Sequence, residues 1–255
     1  MSQKLLFVAL RHRNFCTNFA RRAKPFLRFK TLVMLTPALG CFEKDMNKII
    51  NYAKLIKELP INEQSARIKK LVWERIVYKE KEEIEKLIFS NNTETELSRK
   101  QIKNEKNIKK KLIMILMWGY PTGGRGNNIQ NVLSKLEKLV NIFSEYKNKN
   151  LVQEDFLKLV SLFKGIEGLG ISTWTKFLYF FEISIESKQC EIFDLKIVES
   201  LNKKQFVELG TKNWIQDTNN YLEYINLLDE VSNKINVKPD QVELFLFYFN
   251  LYYKF

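Results

Sequence analysis

Histidine is almost absent from these 255 residues: the only one is His12. A serine–histidine–aspartate triad or a histidine-based zinc site has next to nothing to be built from. Cysteine is nearly as scarce. Cys16, Cys41 and Cys190 stand far apart, without a CxxC pair or a four-cysteine cluster. That spacing excludes an iron–sulfur framework and fits reduced thiols in a cytoplasm. Long apolar runs are missing too. The longest, LIMILMW at 112–118, falls well short of the ~18 residues of a membrane span and reads as core. Any reaction must then be run by Lys, Asp, Glu, Tyr, Ser or Thr.

What is present is apolar mass and positive charge. Hydrophobic residues make up 45% of the chain, with 19 Phe and 10 Tyr, enough for a real core in one large domain or two small lobes. A net charge of +13 points to a polyanionic partner, nucleic acid first and an acidic membrane surface second. The charge is uneven. Residues 1–45 hold five Arg and four Lys against Glu43 and Asp45, a net of +7 that leaves +6 for the other 210 residues. This segment reads as an organelle presequence, a basic DNA-binding arm, or a stretch upstream of a native start at Met46. Function is sought in residues 46–255.

The pattern there is helical. Residues 47–59, 62–90 and 94–117 set Lys and Glu between apolar positions at three- and four-residue spacings, as solvent-faced helices do. The runs KEKEEIEK and KNEKNIKKK read as solvated faces, although the lysines of 103–111 could skirt a DNA backbone. WGYPTGGRGNN at 118–128 is the longest turn-forming stretch, with Asn127 or Asn128 placed to cap a helix running from near Ile129 to Tyr146. Further helices are expected over 153–164, STWTKFLYFF, 195–201, roughly 204–209, 211–235 and 240–253, the last behind Pro239. No alternating strand pattern stands out. The expected fold class is all-α.

Two sites of chemistry emerge. GIEGLG, with Gly165, Gly168 and Gly170, joins two helices into a helix-hairpin-helix over 154–181. Its glycines allow positive φ and close backbone approach, and the amides from Ile171 onward are left to face an anion such as a DNA phosphate. Asp194 then stands just before the helix LKIVESL, 18 residues beyond Lys176. Its plain reading is an N-cap; its functional reading is a carboxylate that a cap position holds in place. Ser172 and Lys176, four apart, share a helix face. Trp174 reads as core.

The segments MWGYPTGGRGNN, GIEGLGISTWTKFLYF, EIFDLKIVESL and PDQVELFLFYF, all within 112–253, resemble the helix-hairpin-helix DNA glycosylases, the superfamily of endonuclease III and 8-oxoguanine DNA glycosylase. The likeness is to the bacterial branch with the 8-oxoguanine glycosylase fold. It implies two helical lobes with a base-binding cleft between them, and a double-stranded DNA partner from which a modified base is flipped and excised. Asp194 maps onto the family aspartate, which stabilises positive charge at C1′ or orients the nucleophile. Lys176 fits the lysine–aspartate spacing of members that attack C1′ with an amine, whereas alignment on the hairpin glycines puts Ser172 at that position, as in members that only release the base.

The resemblance also implies that Asn127 and Asn128 form a turn filling the hole left by the flipped base. Arg125 would contact the opposite base or a phosphate, and Trp118 and Tyr120 would stack on a base. For Trp118 the alternative is a core residue closing the LIMILMW helix. No organic cofactor or metal is implied beyond a monovalent cation at the hairpin carbonyls. A cytoplasmic, nucleoid-associated bacterial monomer without membrane contact is expected. The implied substrate is 8-oxoguanine or a bulky hydroxymethylated or glucosylated cytosine of phage DNA. The proline common before the family aspartate is missing, replaced by Cys190-Glu191-Ile192-Phe193. A phosphate-binding module without catalysis is the competing class, and a protein-binding helical scaffold the third.

Overall fold

A computed structural model describes residues 48–79 and 81–252. The readings of the basic segment 1–45 and of Met46 lie outside the described residues. In chain order, the elements are α1 (Ala53–Lys57), β1 (Ser65–Lys69), α2 (Lys70–Glu74), α3 (Lys81–Phe89), β2 (Glu94–Ser98), α4 (Arg99–Asn104) and α5 (Ile108–Gly119). There follow α6 (Asn128–Ser134), α7 (Leu136–Tyr146), β3 (Asn150–Leu151), α8 (Gln153–Lys164), α9 (Ile171–Phe180), β4 (Ser184–Ile185) and β5 (Lys188–Gln189). The chain closes with α10 (Leu195–Asn202), α11 (Thr218–Ile235) and α12 (Pro239–Tyr252). Helices dominate, and the all-α class holds.

Two expectations fail at the N-terminal side. The helices expected over 62–90 and 94–117 are interrupted, because β1 and β2 pair antiparallel in the register Ser65↔Ser98 to Lys69↔Glu94. Within SARIK, Ala66 and Ile68 face the core while Arg67 and Lys69 face solvent. The pairing is fixed by long-range contacts invisible in a local window: Arg67 bonds Glu94, Ser65 bonds Glu96, and Lys70 N donates to Thr93 O at 2.8 Å. A second break falls at Asn107, whose side chain accepts from Lys110 N at 2.9 Å and starts α5 afresh. The helix expected over 129–146 is divided at Lys135 into α6 and α7. Residues 211–217 are not helical either; Asp217 caps α11 by accepting from Asn220 N at 2.7 Å. The segment 204–209 yields only a 3-10 turn over Val207–Leu209.

Two helices that are apolar nearly all round form the centre, as complete burial demands. In α9 every residue from Thr173 to Phe180 is buried, and in α5 every residue from Lys111 to Met117. They pack on each other. An aromatic wall surrounds α9: Phe143 stacks on Phe181 with centroids 4.4 Å apart, and Trp174 lies among Phe156, Phe163 and Tyr221. Trp174 is core, as expected. On the far side, α10 and α11 pack against α12. Among the described residues no helix is long and apolar enough to cross a membrane.

Candidate active site

The site lies where α9, α10 and the end of α5 converge. Asp194 is the N-cap of α10, and its two carboxylate oxygens have separate partners. Oδ1 accepts from Lys196 N at 3.0 Å and from Ile197 N at 3.2 Å. Oδ2 lies 3.6 Å from Lys176 Nζ, an ion pair slightly longer than a hydrogen bond. The carboxylate is 18% exposed and the lysine side chain 5%. Lys176 turns back along its own helix and donates to Ser172 O at 2.8 Å and Ser172 Oγ at 3.1 Å. The three residues proposed for chemistry are thus brought together, with Lys176 rather than Ser172 against the carboxylate.

The strand-like lead-in to Asp194 is held by its neighbours. Phe193 N donates to Thr175 Oγ1 at 3.2 Å, and Phe193 O accepts from Gln216 Nε2 at 2.9 Å. Tyr221 and Tyr224 donate their hydroxyls to the carbonyls of Glu191 and Ile192 at 3.2 and 3.0 Å. Each bond satisfies a buried backbone group that would otherwise cost about 1–3 kcal/mol. Together they restrict the backbone leading into Asp194.

Gly119, the last residue of α5, admits the lysine. A Cβ there would stand 3.0 Å from Lys176 Cδ and 3.3 Å from Cε. Tyr120 follows, its ring centroid 6.0 Å from Lys176 Nζ and its hydroxyl bonded to Thr173 Oγ1. Trp118 is half-buried against the core, edge-on to Phe180 with centroids 5.3 Å apart and 5.5 Å from the Arg99 guanidinium. Between its two readings, the packing is that of a core residue closing α5.

The turn between α8 and α9 departs from the sequence expectation. Of its three glycines only Gly168 has positive φ, +79°, and the space before its Cα is filled: a Cβ would meet Asn128 O at 2.6 Å. Gly170 has φ −77° and open space in front of it. As N-cap without a side chain it leaves the first amides of α9, at Ile171 and Ser172, uncapped. Gly165 also has negative φ and is exposed. The loop residues Arg125, Asn127 and Asn128 are exposed. Asn127 stands at the N-cap position of α6 but makes no side-chain cap bond, so the capping expected of it or Asn128 is not made.

A buried charged cluster underlies the site, and the sequence reading missed it. Arg99 bonds Glu243 at 2.7 Å with both side chains 1% exposed, and its guanidinium lies 4.9 Å from the Tyr179 ring. Glu191 is fully buried and neither carboxylate oxygen has a partner. Burial, reinforced by Asp240 and Glu243, holds its carboxyl well above the usual range. Burial likewise pushes Glu243 up to about 7, opposed by Arg99. Burial pushes the free Cys190 thiol up to about 12, which leaves it unreactive. The signal in the sequence was charged residues inside apolar periodicity, as in EIFD and VELFLF. Among the described residues no three His, Cys, Asp or Glu side chains gather as metal ligands.

The chain was compared with known proteins. No curated protein and no solved structure matched it. The family model described as "Putative 8-oxoguanine DNA glycosylase OGG-like protein" matches residues 59–247, a span that runs from before β1 into α12 and encloses both Lys176 and Asp194. The chain belongs to this OGG-like family.

Proposed function

We propose that the protein is a DNA glycosylase that flips a modified base out of double-stranded DNA and cleaves its N-glycosidic bond. The observation that carries the reading is the pair Lys176–Asp194, an amine on α9 and a carboxylate at the N-cap of α10, 3.6 Å apart. As the C1′–N bond breaks, the base departs with the bonding electrons and positive charge builds on the sugar. The Asp194 carboxylate, fixed by two backbone amides, opposes that charge. C1′ is then closed by water or by the Lys176 amine. The amine route gives a Schiff base and, by elimination, strand cleavage; it requires Lys176 to lose a proton, with the Asp194 carboxylate 3.6 Å away to receive it. Lys176, and not Ser172, holds the position beside the carboxylate, which favours a bifunctional enzyme.

The hairpin supplies phosphate binding through Gly170 and the uncapped amides of Ile171 and Ser172, with a monovalent cation on its carbonyls as a further element. Arg125, Asn127 and Asn128 form the turn that enters the duplex, and Tyr120 the wall beside the flipped base. The substrate is 8-oxoguanine in a repair role, or a hydroxymethylated or glucosylated cytosine of phage DNA in a defence role. Residues 46–255 act as one glycosylase domain, a monomer in the bacterial cytoplasm.

The test is mass spectrometry of free bases released from a panel of 8-oxoguanine duplexes, uracil and alkylated DNA, and phage DNA with plain or glucosylated cytosines, with Asp194→Asn in parallel. A base released by the wild type and absent with the variant names the substrate. Tight binding without release by either protein would favour a phosphate-binding module instead.

A further inference from the structure

The hairpin glycines do not share one task. Gly170 is exposed, with no atom within 4 Å of where a Cβ would stand. Gly168, two residues earlier, is closed in: a Cβ on it would lie 2.6 Å from Asn128 O, 2.8 Å from Asn128 Cα and 3.0 Å from Asn128 C. These are backbone atoms of the first residue of α6 and cannot swing aside as a side-chain end could. The turn that ends there is closed on itself, with Asn128 N donating to Arg125 O at 3.4 Å and Asn131 N to Asn127 O at 2.9 Å. The α8–α9 turn and the Arg125–Asn128 turn therefore meet backbone to backbone, at the one place where the hairpin needs a left-handed residue.

We infer that Gly168 is a positioning residue that seats the Arg125–Asn128 turn on the hairpin, so that gripping a phosphate sets where Asn127 and Asn128 enter the duplex. The inference rests on the glycosylase reading. Its physical content is that two binding elements separated by some forty residues of chain behave as one rigid body. Gly170 governs affinity for any duplex. Gly168 governs what happens to the helix once it is held.

The probes are an intact duplex and the same duplex with a single tetrahydrofuran abasic site, whose preformed hole an entering turn can fill. The wild type is expected to prefer the abasic duplex by about tenfold or more. Gly168→Ala should cut that preference to about threefold or less, the larger loss falling on the abasic duplex. Gly170→Ala should weaken both duplexes alike. Gly210→Ala is the control for left-handed strain alone, since Gly210 has φ +70° with open space around it; it should leave the preference unchanged. Equal loss on both duplexes with Gly168→Ala would overturn the inference, as would a wild type without preference. Wild type that prefers the abasic duplex but releases no base from the DNA panel would sink the catalytic reading and leave this one standing.

A measurement independent of DNA covers a Gly168→Ala chain that does not fold. Nitroxides at Arg125→Cys and Glu167→Cys, both exposed positions, are placed in a chain with Cys16→Ser and Cys41→Ser. A single narrow distance in the DNA-free chain is expected of two turns seated together. A broad distribution would overturn the inference.

Discussion

Phe193 N donates to Thr175 Oγ1 at 3.2 Å, so the residue before Asp194 is tied to the residue before Lys176. Thr175 in turn donates to Ile171 O at 2.9 Å. One hydroxyl thereby fixes the relative position of the two helices that carry the candidate acid–amine pair, and it does so from a fully buried side chain.

Thr175→Val keeps the shape and removes the acceptor. It should lower stability by about 1–3 kcal/mol, the cost of an unpaired buried amide. Base release should fall further than DNA affinity, and Thr175→Ser should restore both. Thermal unfolding with single-turnover release would check this; a kcat loss matched by an equal loss of affinity would refute the positioning role.

Asp194 acts as a cap through Oδ1 and faces the lysine through Oδ2. Asparagine caps about as well, so Asp194→Asn should change stability by a few tenths of a kcal/mol, and Asp194→Ala by about 1 kcal/mol. Both should reduce base release by about a hundredfold or more if the carboxylate opposes charge at C1′. Comparing melting temperature with release separates the two tasks.

The position of Lys176 predicts a covalent intermediate. Borohydride reduction during turnover should trap the wild-type chain on DNA, and Lys176→Gln should abolish the adduct. Ser172→Ala should retain it, because Ser172 only accepts a bond from the amine. Gel shift under denaturing conditions reads the result. An adduct that survives Lys176→Gln would assign the nucleophile elsewhere.

Stability should fall as pH rises. Glu191 and Glu243 are raised above the ordinary carboxylate value of 4.5 by burial, Glu243 to about 7. A folded state that keeps protons the unfolded chain has lost is favoured at acid pH, and that contribution disappears as pH passes the folded-state values. The slope between about pH 4.5 and 7 should reach roughly 1.4 kcal/mol per pH unit for each proton held. Glu191→Gln, neutral at every pH, should flatten the curve and exceed the wild type at pH 8. Denaturant midpoints across pH 5–8 test it, and an unchanged slope would show that Glu191 is not the titrating group.

The local patterns determined a good deal. Apolar periodicity marks α5, α8, α9 and α12 because those helices are long enough for a buried face, or a buried whole, to repeat. The glycines of GIEGLG mark a turn because a left-handed residue is needed there, and Asp194 is legible as a cap because its Oδ1 bonds amides two and three residues on. The alternative between Ser172 and Lys176 could not be settled in one dimension, since they share a face; the fold separates them by turning the lysine to Asp194 past Gly119. The strands β1 and β2 were hidden because their stability comes from each other across a gap of two helices, while their Lys and Glu content reads as a solvated helix. Arg99 falls within the solvent-faced helix expected over 94–117, and only packing encloses it against Glu243. What the sequence determines is what a residue's near neighbours dictate through backbone geometry and periodic burial. Partners distant in the chain, as at Gly168 and Asn128, are decided only when the tertiary structure brings two backbones into contact.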